Sequence, residues 1–84
     1  MKVTEYFQAA IERSGKRQKQ IAEEAGFAKP NIITMFKQGL TPIPLARVPA
    51  LASALGIPAI ELMNVCLSEY HPEILEVIRE TYNI

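Results

Sequence analysis

Residues 18–39 read QKQIAEEAGFAKPNIITMFKQG, and this stretch decides the fold. Apolar residues recur at helical spacing on both sides of Gly26, with Ile21, Ala22 and Ala25 before it and Ile32, Met35 and Phe36 after it. The first helix of the pair is expected over about residues 17–25, with Gln18, Lys19, Glu23 and Glu24 outward. The small side chain of Ala22 lets another helix approach closely, and Gly26 permits the backbone angle that a tight helix-to-helix turn needs. Pro30 fixes where the second helix starts. A residue preceding proline is pushed out of the α region, whereas proline itself suits a first helical turn. That helix is expected over residues 30–38, with Ile32, Met35 and Phe36 inward, Asn31, Ile33, Thr34 and Lys37 outward, and Gly39 as its cap.

The flanks read as four more helices. Val3, Tyr6, Phe7, Ala10 and Ile11 recur at three- and four-residue steps, so helix 1 runs to about Ser14-Gly15, with Thr4 as a candidate amino-terminal cap. Leu40-Thr41-Pro42-Ile43-Pro44 is a proline-stiffened connection. Helix 4 follows over about residues 45–55, and Pro49, tolerable only in a first turn, allows a start as late as Val48. Helix 5 begins after Pro58 and is apolar round more than half its circumference; His71-Pro72 breaks it. The last helix, about residues 72–82, sets Ile74, Leu75, Val77, Ile78 and Tyr82 against Glu73, Glu76, Arg79 and Glu80. No alternating run of strand formers appears, so the class is all-α.

Composition limits what such a chain does. At 84 residues, 49% of them hydrophobic and with a mean hydropathy of +0.07, one domain over residues 1–84 is expected, near the smallest size that builds its own core. No apolar run reaches the ~18 residues of a membrane span, the first residues lack a signal-peptide layout, and a cytoplasmic location is expected. The chain has no aspartate, one histidine and one cysteine, so no metal set and no nucleophile–base pair can be assembled; neither an enzyme nor a cofactor is expected. Cys66, on an apolar stripe, reads as a buried thiol.

Net charge is zero but unevenly spread. Residues 13–37 hold six basic residues against two acidic, a net of +4; residues 38–84 hold two against five, a net of −3. A basic patch confined to one segment attracts phosphate locally.

Gln18, Ala22, Gly26 and Ile32 stand at the spacing Gln-x3-Ala-x3-Gly-x5-Ile. With this motif the chain resembles a lambda-repressor-like helix-turn-helix domain of the XRE type. The likeness extends through PLARVPALASALGI (residues 44–57) and Ile60-Glu61-Leu62, and covers about residues 3–67. It implies a five-helix domain, here with an extra carboxy-terminal helix, whose motif spans about residues 17–38. It further implies that Ala28, Lys29, Pro30, Asn31, Ile33 and Thr34 face base edges in the DNA major groove, that Gln18 meets a phosphate and braces the recognition helix, and that the loop of Gly39, Leu40 and Thr41 approaches the DNA backbone. Where many members carry serine, this chain has Ala28 and Pro30, and Lys37-Gln38 replaces an acidic residue before Gly39.

Side-chain chemistry agrees with that implication. Lysine donates to guanine or to phosphate, asparagine pairs with adenine, and the methyl groups of Ile33 and Thr34 suit the thymine methyl. Arg17, Lys19 and Lys37 would neutralise phosphates. The plainer reading of Ile33 and Thr34 is ordinary helix surface. The expected function is a DNA-binding transcriptional regulator, a repressor, acting on a palindromic or pseudopalindromic double-stranded site as a homodimer through Tyr70, Ile74, Ile78 and Tyr82. The competing expectation is an antitoxin-like or other protein-interaction subunit that keeps the fold without reading DNA, in line with the zero net charge.

Overall fold

A computed structural model describes residues 1–82. Six α-helices are present among them: α1 (Val3–Ser14), α2 (Gln18–Glu24), α3 (Asn31–Gln38), α4 (Val48–Leu55), α5 (Ala59–Tyr70) and α6 (Pro72–Tyr82). A 3-10 turn at Leu45–Arg47 leads into α4. Breakers set these boundaries. Gly26, at φ 83°, closes α2 in a left-handed conformation, and the Phe27 N–H reaches back to the Ala22 carbonyl at 2.8 Å. Pro49 sits in the first turn of α4, so the backbone preceding Val48 takes the tighter 3-10 form and the α-helix starts at the latest position that the sequence allows.

The helices close round one apolar core. α3 packs on α1 and α2, α4 on α2 and α5, and α5 on α1. Phe36 lies at the junction, taking the edge of Phe7 at 6.1 Å and Phe27 at 5.6 Å between ring centroids. Phe7, Ile21, Ile33, Leu51 and Leu62 belong to the same core cluster, all fully buried. α6 docks on α5 through Leu75, which gives the molecule a long axis of 38 Å against 23 and 21 Å. No helix of the described residues is long and apolar enough to cross a membrane.

The expected Thr4 cap does not form. The cap position of α1 is Lys2, without a side-chain bond, and Thr4 lies inside the helix. Its orphan N–H is met from far along the chain: the Val3 N–H donates to Glu69 Oε1 on α5 at 2.9 Å. A second tie between the two helices runs from Tyr6 Oη to Glu61 Oε1 at 3.0 Å. Both bonds fix the tilt of α1, and with it the bed on which α3 rests.

Candidate nucleic-acid interface

The turn between α2 and α3 contains Phe27, Ala28, Lys29 and Pro30. Pro30 is the cap residue of α3 at φ −66° and ψ −27°, already helical, so the regular helix starts one residue later than its expected start. The first turn is tight, with the Ile32 N–H donating to the Lys29 carbonyl at 3.4 Å and the Ile33 N–H to the Pro30 carbonyl at 3.1 Å. Ala28, Lys29, Pro30 and Asn31 are all exposed and form one outward group.

Ile33 does not belong to that group. It is 0% exposed and, with Phe36, forms the inner seam of α3, whereas Ile32 and Met35 are half-buried. Phe36 belongs to both the expected and the observed stripe, so the inner face is turned from the expected one by less than one residue step of about 100°. Because α3 packs against α1 and α2 at once, its inner direction falls between them, where position 33 points. Ile33 is an anchor of this helix, and a contact of its side chain with base edges is ruled out in this conformation.

Thr34 is half-buried, and its hydroxyl donates to Gln18 Oε1 at 2.5 Å. The bond joins the first turn of α2 to the middle of α3 and leaves the amide N–H groups of Gln18 without an acceptor among the described residues. The far end of α3 is held by α1: Gln8 Nε2 donates to the Lys37 carbonyl at 3.0 Å, and a Cβ at Gly39, whose φ is +74°, would meet Thr4 Cγ2 at 3.0 Å. That close approach and that angle favour glycine, and a larger residue there would be strained.

Of the loop residues expected at phosphates, the Gly39 and Leu40 N–H groups are already given to the Phe36 and Met35 carbonyls at 3.2 and 3.0 Å. Thr41, half-buried, keeps both its N–H and its hydroxyl without a partner among the described residues. The next donor, the Ile43 N–H, goes to Tyr70 Oη at 3.0 Å.

Charge is distributed to match. Among the described residues the ion pairs are Lys16–Glu24 at 2.7 Å and a weaker His71–Glu73 at 3.5 Å. Lys16 also donates to the Ala54 carbonyl at 2.7 Å, and its hydrogen bond holds the Glu24 carboxyl below the ordinary carboxylate range, with Gln20 assisting. Lys16 is therefore spent on the fold. Among the described residues, Arg17, Lys19, Lys29 and Lys37 have no acidic partner within 4.0 Å, and all but the half-buried Lys37 are exposed.

One basic residue escaped the sequence reading. Arg47, in the 3-10 turn, lies over the Phe27 ring at 5.2 Å, and its Nη1 stands 3.5 Å from where a Gly26 Cβ would be. Nothing local marks it, since the contact joins residues twenty positions apart.

The residues expected at a dimer interface divide in two. Tyr70 is half-buried, bonded to Ile43, and burial pushes its hydroxyl pKa up; Ile78 is also half-buried. Tyr70 packs against the core of its own domain, and α6, which bears Ile78, lies on α5. Ile74 at 43% and Tyr82 at 71% exposed remain outward, and Val77, absent from the expected set, joins them at 59%. No known protein family, curated protein or solved structure matches this chain.

Proposed function

We propose that this chain is a sequence-specific double-stranded DNA-binding regulator of the lambda-repressor-like, XRE-type helix-turn-helix kind, and that it represses by occupying its operator. α2 and α3 form the motif, and the start of α3 enters the major groove. The observation that carries this reading is the outward group Lys29 and Asn31, whose side chains have no intramolecular partner among the described residues, on a helix fixed from behind by Ile33 and Phe36. Such a pair suits guanine and adenine edges, and Ala28 and Pro30 beside it offer apolar contact to thymine methyl groups. The Gln18 amide, Arg17, Lys19, Lys37 and Thr41 supply donors to phosphates on either side.

A single recognition helix reads few base pairs, which favours two copies on a palindromic or pseudopalindromic site. The exposed apolar residues Ile74, Val77 and Tyr82 favour α6 as the surface that joins them. A monomer in sedimentation at micromolar concentration, both free and on DNA, counts against the homodimer.

In vitro selection of duplex DNA at stated salt tests the reading, followed by the double variant Lys29→Ala/Asn31→Ala on the selected site. Each good base contact contributes about 1–3 kcal/mol, so the variant is expected to bind about 30-fold or more weakly and with relaxed base preference. Unchanged affinity and preference refute the groove assignment. Selection of no sequence at all favours a protein-interaction module on the same fold.

A further inference from the structure

The connection from α3 to α4 contains two prolines, Pro42 and Pro44, which remove two backbone donors and restrict the residues before them. What holds its course is therefore countable. At one end the Leu40 N–H is bonded to the Met35 carbonyl at 3.0 Å. At the other, the Ile43 N–H is bonded to Tyr70 Oη at 3.0 Å, while the Ile43 side chain is buried. Thr41, the loop residue with free donors, hangs between these two points. Tyr70 is the last residue of α5, next to the break at His71 where the chain turns into α6.

We infer that Tyr70 is a positioning residue for DNA-backbone contact: its hydroxyl fixes the proline-stiffened loop so that Thr41 meets a phosphate. The inference rests on the DNA-binding reading above. With the hydroxyl gone, the Ile43 N–H loses its acceptor and that end of the loop is held only by the buried Ile43 side chain and the Arg47 N–H bond to the Pro44 carbonyl at 2.9 Å, so the backbone on the Thr41 side is less fixed and a phosphate contact costs more loop entropy each time DNA binds. Base readout by α3 does not pass through this bond. The loss should therefore be uniform across sequences, since a phosphate contact carries no sequence information.

The test compares Tyr70→Phe with Tyr6→Phe in the intact chain, on duplex selected with wild-type protein. Tyr6→Phe makes the same chemical change and removes the bond to Glu61, away from the loop. Tyr70→Phe is expected to weaken selected and mismatched duplexes alike by roughly tenfold, as for loss of one hydrogen bond to a charged group. It is expected to leave the slope of log affinity against log salt at the wild-type value, since Thr41 carries no charge and its contact releases no counterion, and to speed amide exchange at Ile43. Tyr6→Phe is expected to keep wild-type exchange at Ile43 and to weaken binding less. Equal affinity for Tyr70→Phe and wild type overturns the inference alone, as does a weakening shared equally by Tyr6→Phe, the mark of a purely structural role. A wild-type protein that binds no duplex overturns the DNA reading and this inference with it.

Discussion

Ile33→Ala, made alongside Ile32→Ala, asks which face of α3 is committed to the fold. Ile33 is 0% exposed, between α1 and α2, so its truncation removes a wholly buried side chain from a site enclosed on several sides. Large-to-small changes of this kind cost about 2–5 kcal/mol, and about 3 kcal/mol is expected here. Ile32 is half-buried, and about half of that cost is expected for it. For a domain of 84 residues a total stability of about 4–12 kcal/mol is ordinary, so the first change removes a large fraction and lowers the thermal midpoint by roughly 10–20 °C. Urea unfolding followed by helical circular dichroism measures both variants, with an unchanged denaturant slope confirming that the same transition is compared. A second measurement is made at a temperature where all forms are folded: Ile33→Ala should keep the wild-type base preference. A nearly neutral Ile33→Ala with altered base preference, or an Ile32→Ala that costs more, refutes the orientation of α3 and restores Ile33 to the reading face.

Two further outcomes concern the frame that supports α3. Glu69→Ala leaves the Val3 N–H without its acceptor and is expected to cost about 1 kcal/mol in urea unfolding, whereas Glu69→Gln, which keeps an acceptor oxygen but loses the charge at the positive end of α1, should cost about half as much. Equal stability of Glu69→Ala and wild type contradicts the cap. Stability should also decline in alkali. Burial pushes the Cys66 thiol from its ordinary value near 9 up to about 11, so between those values the unfolded chain loses a proton that the folded chain keeps. The contribution is thus full below about pH 9 and is lost as pH rises towards about 11, by up to about 1.4 kcal/mol per pH unit. Tyr6 and Tyr70, both raised above 10.0 chiefly by burial, steepen the loss at the upper end. Urea midpoints at pH 7, 9 and 10 measure this, and Cys66→Ala should flatten the lower part of the fall; a flat wild-type profile contradicts it.

Helix boundaries were legible because each is dictated by one residue and its own covalent limits. A glycine with positive φ, a proline without an N–H, or a residue preceding proline acts through its own backbone, so Gly26, Gly39, Pro49 and His71-Pro72 mark ends that the fold keeps. Rotation of a helix about its axis is a different kind of quantity. Ile32 and Ile33 are the same residue type side by side, and only the joint placement of α1 and α2 chooses between them. The cap of α1 was misassigned to Thr4 for a related reason, since its true partner, Glu69, lies sixty-six positions away and nothing local to either end announces the pairing. Tyr70 and Ile78 read as surplus apolar surface because the cover they give to their own domain depends on how sharply the chain turns at His71. For the candidate site, the outward position of Asn31 was legible from helical period, while the grouping of residues 28–31 and a brace from Gln18 to α3 came only with the family resemblance; that Gln18 meets α3 at Thr34, and that Tyr70 meets Ile43, was not legible.

The zero net charge, which weighs against a nucleic-acid partner when taken as a sum, loses that weight once the charges have places. Two of the five glutamates in the second half, Glu61 and Glu69, accept hydrogen bonds from α1 and serve the frame. The other three, Glu73, Glu76 and Glu80, are on α6, which is joined to the core through α5 in a molecule 38 Å long. A Debye length of about 8–10 Å near physiological salt confines the field of an exposed charge to its own neighbourhood. A phosphate approaching α3 would thus feel Arg17, Lys19, Lys29 and Lys37 at short range and the α6 carboxylates weakly. Under the proposed reading, acidity on α6 would not oppose binding at α3; it would discourage DNA from settling on the wrong face of the protein.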